Sequence, residues 1–237
     1  MKTLTIRLTA PLQSYGNEAS FGRRTANPYP TKSAVIGMIA AASGYRRDDE
    51  RTAELNDLSF AVRIDQPGQT MNDFQIVEYA KSPTKKAKKL TYRSYLQDAV
   101  FMVAIGSDNK TIDEIVYALQ HPKFALFLGR RSNPPAGPLI LQTYENKSPL
   151  EVLRSLDWQA SKWYQDRFMS DTFRAEIVYD SSLDKESSPS FQIKDKVGSF
   201  NSKNRFHTYR EVASSYVLVK NKSKLPHETD QDVMANI

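Results

Sequence analysis

The chain has 237 residues, 40% hydrophobic and 25% charged, the balance of a globular protein with a packed core, which excludes wholesale disorder. With no cysteine and only three histidines, disulfides, thiolate zinc sites and cysteine nucleophiles are excluded, and no HExxH-type spacing supports a histidine metal site. The net charge of +6 points to a polyanionic partner, and the longest apolar run, residues 34–42, is far short of the roughly 20 residues that span a membrane, so the chain reads as cytoplasmic and calls for no membrane and no cofactor.

Residues 3–8, TLTIRL, alternate Leu4, Ile6 and Leu8 with polar neighbours, the period of a half-buried strand. After a long loop, Thr31 or Ser33 caps a helix over SAVIGMIAAAS that stops at Gly44. That helix is apolar nearly all round, so it lies between a sheet and some other cover. Residues 58–64, LSFAVRI, and 70–79, TMNDFQIVEY, flank Pro67-Gly68-Gln69 as two strands that pair across a turn. Residues 94–105 form a further strand, whose continuous apolar run AVFMVAI places it centrally in a sheet. Thr111 opens a helix with Glu114 closing a capping box, Ile112, Ile115, Val116 and Leu119 recur at helical spacing, and Pro122 ends it. FALFL, 124–128, then returns as a strand.

This order predicts an α+β fold, a ferredoxin-like βαββαβ domain of the RRM type over residues 1–145. Beyond it, Ser148, Pro149 and Glu151 start a short helix, and FRAEIVY (173–179) and SSYVLVK (214–220) read as strands separated by a polar stretch at 180–190. Residues 146–224 are therefore expected as a smaller β-rich unit. Residues 225–237 read as a mobile acidic tail.

Charge is concentrated in three places. Between Ala80 and Gln97 there is no acidic residue, while Lys81, Lys85, Lys86, Lys88, Lys89 and Arg93 are packed together with Tyr92 and Tyr95. Such a segment is either a solvated lysine-rich loop or a surface that faces phosphates and offers rings to bases. The other two places are loops with a shared opening, GRRTANPYPTKS at 22–33 and GRRSNPPAGP at 129–138. Glycine lets the backbone approach an anion, and the arginine fork fits phosphate oxygens two at a time. In each loop the arginines either brace their own backbone or grip phosphate. Together with the lysine segment they favour one electropositive surface. Tyr15 and Tyr29 are candidates for stacking on splayed bases, and Tyr15 is equally a candidate for the core.

Catalytic residues are scarce. A metal-free ribonuclease needs a base and an acid, and His207 in FHTYRE is the only histidine in a suitable setting, since His121 ends a helix and His227 lies in the tail. Asp48, Asp49 and Glu50 follow Arg46 and Arg47 and read as local ion pairing at a helix start. No Walker-type glycine loop is present.

APLQSYG (10–16), FGRRTANPYPTKSAVIGMIAAASGYRRDD (21–49), YRSYLQDAVFMVAI (92–105) and FLGRRSNPPAGPL (127–139), in this order, resemble the CasD family. These are the ferredoxin-like RAMP subunits of the type I-E CRISPR surveillance complex, Cascade. The resemblance covers residues 1–145 and implies a non-catalytic subunit that holds the 5′ handle of the CRISPR RNA. It further implies contact with the backbone subunit CasC, whose filament it caps, with the large subunit CasA, and through the complex with target DNA. It places a basic thumb at about 80–93. The RNA-binding residues that follow are Arg23, Arg24, Arg130 and Arg131 as phosphate forks, Thr25 and Ser132 as supporting donors, and Lys32 at a helix start. Lys85, Lys86, Lys88 and Lys89, with Tyr92 and Arg93, would track the strand along the thumb. In a sister subtype the equivalent subunit cuts precursor RNA with tyrosine, lysine and histidine; no matched trio stands here, so a metal-independent endoribonuclease is the second reading. A third has the basic surface docking an acidic protein.

Overall fold

The computed structural model describes residues 1–16, 22–184 and 189–224. In chain order come strand β1 (Lys2–Thr9), two short strands β2 (Leu12–Gln13) and β3 (Arg23–Arg24), and helices α1 (Lys32–Ser43) and α2 (Arg51–Glu54). Strands β4 (Ser59–Gln66), β5 (Gln69–Ser82), β6 (Lys85–Gln97) and β7 (Val100–Ser107) follow, then helix α3 (Asn109–Gln120) and strand β8 (Ile140–Glu145). The rest comprises helices α4 (Pro149–Ser155) and α5 (Lys162–Arg167) and strands β9 (Thr172–Asp180), β10 (Phe191–Ser199) and β11 (Phe206–Lys220). The fold is mixed α/β and dominated by sheet.

One seven-stranded sheet runs in the order β10-β11-β9-β4-β7-β1-β8 with every neighbour antiparallel. Its centre, β7 between β1 and β4, is covered on both faces. Leu4, Ile6, Leu8, Phe101, Val103 and Ile105 pack with α1 and α3 on one side. Met102 and Ala104 meet Leu150 and Leu153 of α4 on the other. Burial on both faces is why this stretch reads as an unbroken apolar run rather than an alternation. Helix α1 is capped by the Thr31 hydroxyl, which accepts from the Ala34 N–H, and ends at Gly44 in a left-handed conformation, φ 81°. Helix α4 carries the expected capping box of Ser148 and Glu151 behind Pro149.

Four local expectations are corrected. β4 and β5 do not pair with each other: β4 lies between β7 and β9, and β5 turns away to pair with β6 in a long hairpin. The stretch 94–105 is two strands, broken at Asp98, whose φ of 55° takes it out of the ladder. Helix α3 is capped by Asp108 and not by Thr111, because the Thr111 N–H and hydroxyl both donate to the Asp108 carboxylate, at 3.0 and 2.6 Å, and hold its pKa down at about 2. FALFL is not a strand. The Lys123 and Phe124 N–H groups cap the last carbonyls of α1, and the Leu128 N–H is closed onto the Asn133 carbonyl, so the edge position beside β1 falls to β8.

The C-terminal residues continue the same sheet, since β9 pairs with β4 and β11 with β9. Strand β10 and the first half of β11 had no clear period in the sequence. The ladder between them is interrupted by two register shifts, which scramble the alternation of faces. The expected acidic tail, with His227, lies outside the described residues. Among the described residues no helix is long and apolar enough to cross a membrane.

Candidate nucleic-acid interface

The second Gly-Arg-Arg loop is built by its glycine. Gly129 has φ 87°, and a Cβ there would run into the Ser14 carbonyl, so only glycine lets this loop lie against the chain after β1. The Ser14 N–H donates to the Leu128 carbonyl at 3.2 Å, and the loop closes on itself where the Asn133 N–H meets the Arg130 carbonyl at 2.9 Å. The first loop is pinned differently. Its arginines form β3, parallel to β6, with Arg23 opposite Tyr92 and Arg24 opposite Arg93, and the Tyr92 N–H donates to the Gly22 carbonyl at 2.9 Å.

The two loops meet. The Arg130 guanidinium donates through Nη2 to the Arg24 carbonyl at 3.3 Å and lies 4.6 Å from the centre of the Tyr95 ring. Beside this junction a groove of about 560 Å³ opens. Its floor is one face of α1, the small residues Ser33, Ala34, Gly37, Ala40 and Ala41. The opposite face of the helix, with Val35, Met38, Ile39 and Ala42, is core. A helix with one face against a sheet and the other under a groove has to be small or apolar all round, which accounts for its sequence.

Of the residues expected to bind RNA, Arg24, Arg93, Arg130, Arg131 and Ser132 line this groove. So do Arg46 and Arg47, from the turn after α1, and Arg205, from the turn between β10 and β11. Among the described lining residues there is no lysine, histidine or carboxylate. Two guanidinium nitrogens, Arg93 Nε and Arg130 Nη1, are buried without a hydrogen-bond partner. A buried donor left unmatched costs about 1–3 kcal/mol, more when charged. Arg46 and Arg47 were misjudged in the sequence because acidic residues follow them directly. The carboxylate of Asp49 instead takes Arg51 through two bonds of 2.9 and 2.7 Å.

Other expected residues are placed elsewhere. Lys32 is corrected from RNA contact to internal ion pair: its ammonium is buried 3.2 Å from Asp180, its own N–H donates to Asp195 at 2.8 Å, and burial lowers its pKa with Asp180 opposing. Arg210 completes this cluster with bonds of 2.6 Å to Asp180 and 2.9 and 2.8 Å to Asp195. Arg23 and Thr25 do not line the groove, since alternation along β3 turns Arg23 away from the face that Arg24 presents. Tyr15 belongs to the core: it is buried against Phe101 and donates to Gln13 at 2.6 Å. Tyr29 is half-buried against the same core.

The segment expected as a thumb at about 80–93 is part of a longer hairpin, because strands β5 and β6 continue down to Gln69 and Gln97. Its lysines divide between faces. Lys86 and Lys88 share one with Glu78, which pairs with Lys86 at 2.8 Å, while Lys85 and Lys89 alternate onto the other. The exposed rings and chains of Phe74, Ile76, Leu90 and Tyr92 stand in facing pairs on the face of Lys86 and Lys88. His121 keeps its expected place at the end of α3, with Nδ1 3.1 Å from the Tyr117 carbonyl. Among the described residues no cluster of histidine and carboxylates is placed to hold a metal ion.

Residues 3–213 match the family described as CRISPR-associated protein (Cas_Cas5). The chain is 32% identical over 169 residues to the CRISPR system Cascade subunit CasD of Escherichia coli (strain K12), covering 63% of this chain and 75% of that protein. Among solved structures it superposes on a chain of a CRISPR RNA-guided surveillance complex with a TM-score of 0.74 and 31% identity, over 92% of this chain and 91% of that one. A crystal structure of a Cas protein gives a TM-score of 0.66 and 25% identity, over 93% and 96% of the two chains. Reaching across most of the sequence and both halves of the sheet, these matches carry one conclusion: the chain belongs to the CRISPR-associated protein (Cas_Cas5) family.

Proposed function

We propose that this chain is the subunit of a Cascade surveillance complex that holds the 5′ handle of the CRISPR RNA and caps the backbone filament. The observation that carries the reading is a groove lined by seven arginines, Arg93 and Arg130 among them, with no carboxylate among its described lining residues. Such a surface holds a phosphate backbone without reading its bases. It also favours holding over cutting, because a guanidinium stays protonated and cannot serve as a base. The strand order β8-β1-β7-β4, with α1 and α3 as the two crossovers, supports a ferredoxin-like domain of the RAMP type, and the β5–β6 hairpin supports its thumb. The partners under this reading are the CRISPR RNA, CasC, CasA and, through the complex, target DNA. Likeness to the CasD subunit supports them.

The test is a salt titration of handle RNA binding to the full chain and to an Arg130→Ala, Arg131→Ala double variant. The variant is expected to bind more weakly and with a salt slope shallower by about 1.4, or roughly 0.7 per lost phosphate contact. An unchanged affinity and slope overturn the reading. Incubation with repeat RNA in EDTA is expected to leave it intact; a discrete cut abolished by His207→Ala would replace holding by endonuclease chemistry.

A further inference from the structure

The far wall of the arginine groove is not part of the Gly-Arg-Arg loops. It comes from the turn between β10 and β11, which brings Phe200 and Arg205 to the lining. This turn is held from within: the Asn201 N–H donates to Ser199 Oγ at 3.1 Å, the Lys203 N–H to Asn201 Oδ1 at 3.0 Å, and the Asn204 N–H to the Asn201 carbonyl at 3.2 Å. Its base is clamped by Asn56, whose side chain exchanges two bonds of 2.9 and 3.0 Å with the backbone of Val197. The Phe206 ring lies where a Cβ on residue 198 would be, so Gly198 keeps the hairpin closed. Phe200 is half-buried over Gly37 of α1, with the His207 ring edge-on behind it at 6.0 Å and the Arg205 guanidinium 5.9 Å from its centre.

We infer that this turn is a nucleotide subsite, in which the Phe200 ring takes one splayed base of a single-stranded RNA and Arg205 the phosphate beside it. The inference rests on the RNA-holding reading of the groove and adds a base contact to it. Arginines alone accept any polyanion. A ring presented by a braced turn, at the wall of a groove filled with phosphate forks, adds what phosphate contact lacks, a face on which a base stacks. Stacking of this kind tolerates any base, so the subsite fixes where the strand is splayed more than which letter is splayed there. It also gives the C-terminal strands a part in the ligand site, since α1 and the β10–β11 turn close on the groove from opposite ends of the chain.

The test uses the full chain and single-stranded RNAs of about ten nucleotides carrying 2-aminopurine at successive positions. One position is expected to be quenched on binding. Phe200→Leu, which keeps apolar cover over Gly37, is expected to release that quenching and weaken binding about tenfold while leaving the urea midpoint unchanged; Phe200→Trp is expected to restore both signals. Arg205→Gln is expected to lower the salt slope by about 0.7 without releasing the quenched base. If Phe200→Leu binds and quenches as the parent does while the Arg130, Arg131 variant still binds weakly, the base subsite is wrong and the holding function stands. If the parent shows no salt-dependent RNA binding, both fall.

Discussion

Arg63 and Arg130 are the same side chain used in opposite ways. All five donors of Arg63 are matched inside the protein: Nε and Nη2 meet the Asp65 carboxylate at 2.8 Å each, Nη1 meets the Leu153 and Leu156 carbonyls, and Nη2 also meets the Asp157 carbonyl. Arg210 is nearly as complete between Asp180 and Asp195. In the groove, by contrast, Arg93 and Arg130 each leave a buried nitrogen unmatched, and none of the seven lining arginines has an ion pair among the described residues. The two sets differ in how many donors are matched by carboxylates and also in burial: the side chains of Arg63 and Arg210 are 0% and 8% exposed, whereas Arg24, Arg46, Arg47, Arg131 and Arg205 are exposed. The structural arginines tie segments together, β4 to α4 and the chain after it, and β11 to Asp180 of β9 and Asp195 of β10. The groove arginines lack a carboxylate partner among the described residues, and Arg130 instead meets the Arg24 carbonyl and the Tyr95 ring.

The strongest way to break this contrast is to remove a counter-ion from the structural set. Asp65→Ala leaves the Arg63 guanidinium uncompensated in a site with 0% side-chain exposure, and is expected to cost about 3–5 kcal/mol, read as a fall in the urea midpoint. A midpoint unmoved by that change would mean the pair contributes nothing to the fold. A middle-sized effect is expected from the opposite set: Arg46→Gln with Arg47→Gln should stay within about 0.5 kcal/mol of parental stability and yet flatten the salt slope of RNA binding by about 1.4. Loss of stability with an unchanged slope would move these residues to the structural class.

The smallest effect concerns His207, behind the groove wall. Its pKa is lowered by burial and then by Arg205, with Lys194 acting in the same direction and Asp195 opposing. The unfolded chain, with an ordinary histidine, binds the proton more readily, so this contribution is complete above about pH 6.5 and is lost as pH falls through the lower folded-state value. Comparing urea midpoints at about pH 7.5 and about pH 5, a His207→Gln variant is expected to lose less on acidification than the parent. Equal losses would show that the ring carries no such penalty.

Much of the local architecture was readable from spacing. The caps of α1 and α4, the central strand at Val100–Ile105 and the paired arginine loops all follow from short-range rules, in which a residue's own neighbours supply the partner. The strand at FALFL and the β4–β5 pairing failed because apolar character says that a segment is covered and not by what. Lys32 failed for a related reason: its partners Asp180 and Asp195 lie roughly 150 and 160 positions further along the chain.

The sequence by itself determined that an Asn-Pro step follows each Arg-Arg pair and keeps the chain out of helix there, because the residue before proline is disfavoured in the helical region. Only the tertiary structure decided which guanidinium groups would be spent on carboxylates and which would converge on one groove. Pairing of charges depends on distances between strands far apart in the chain, and those distances exist only once β6, α1 and the β10–β11 turn have closed around the same space.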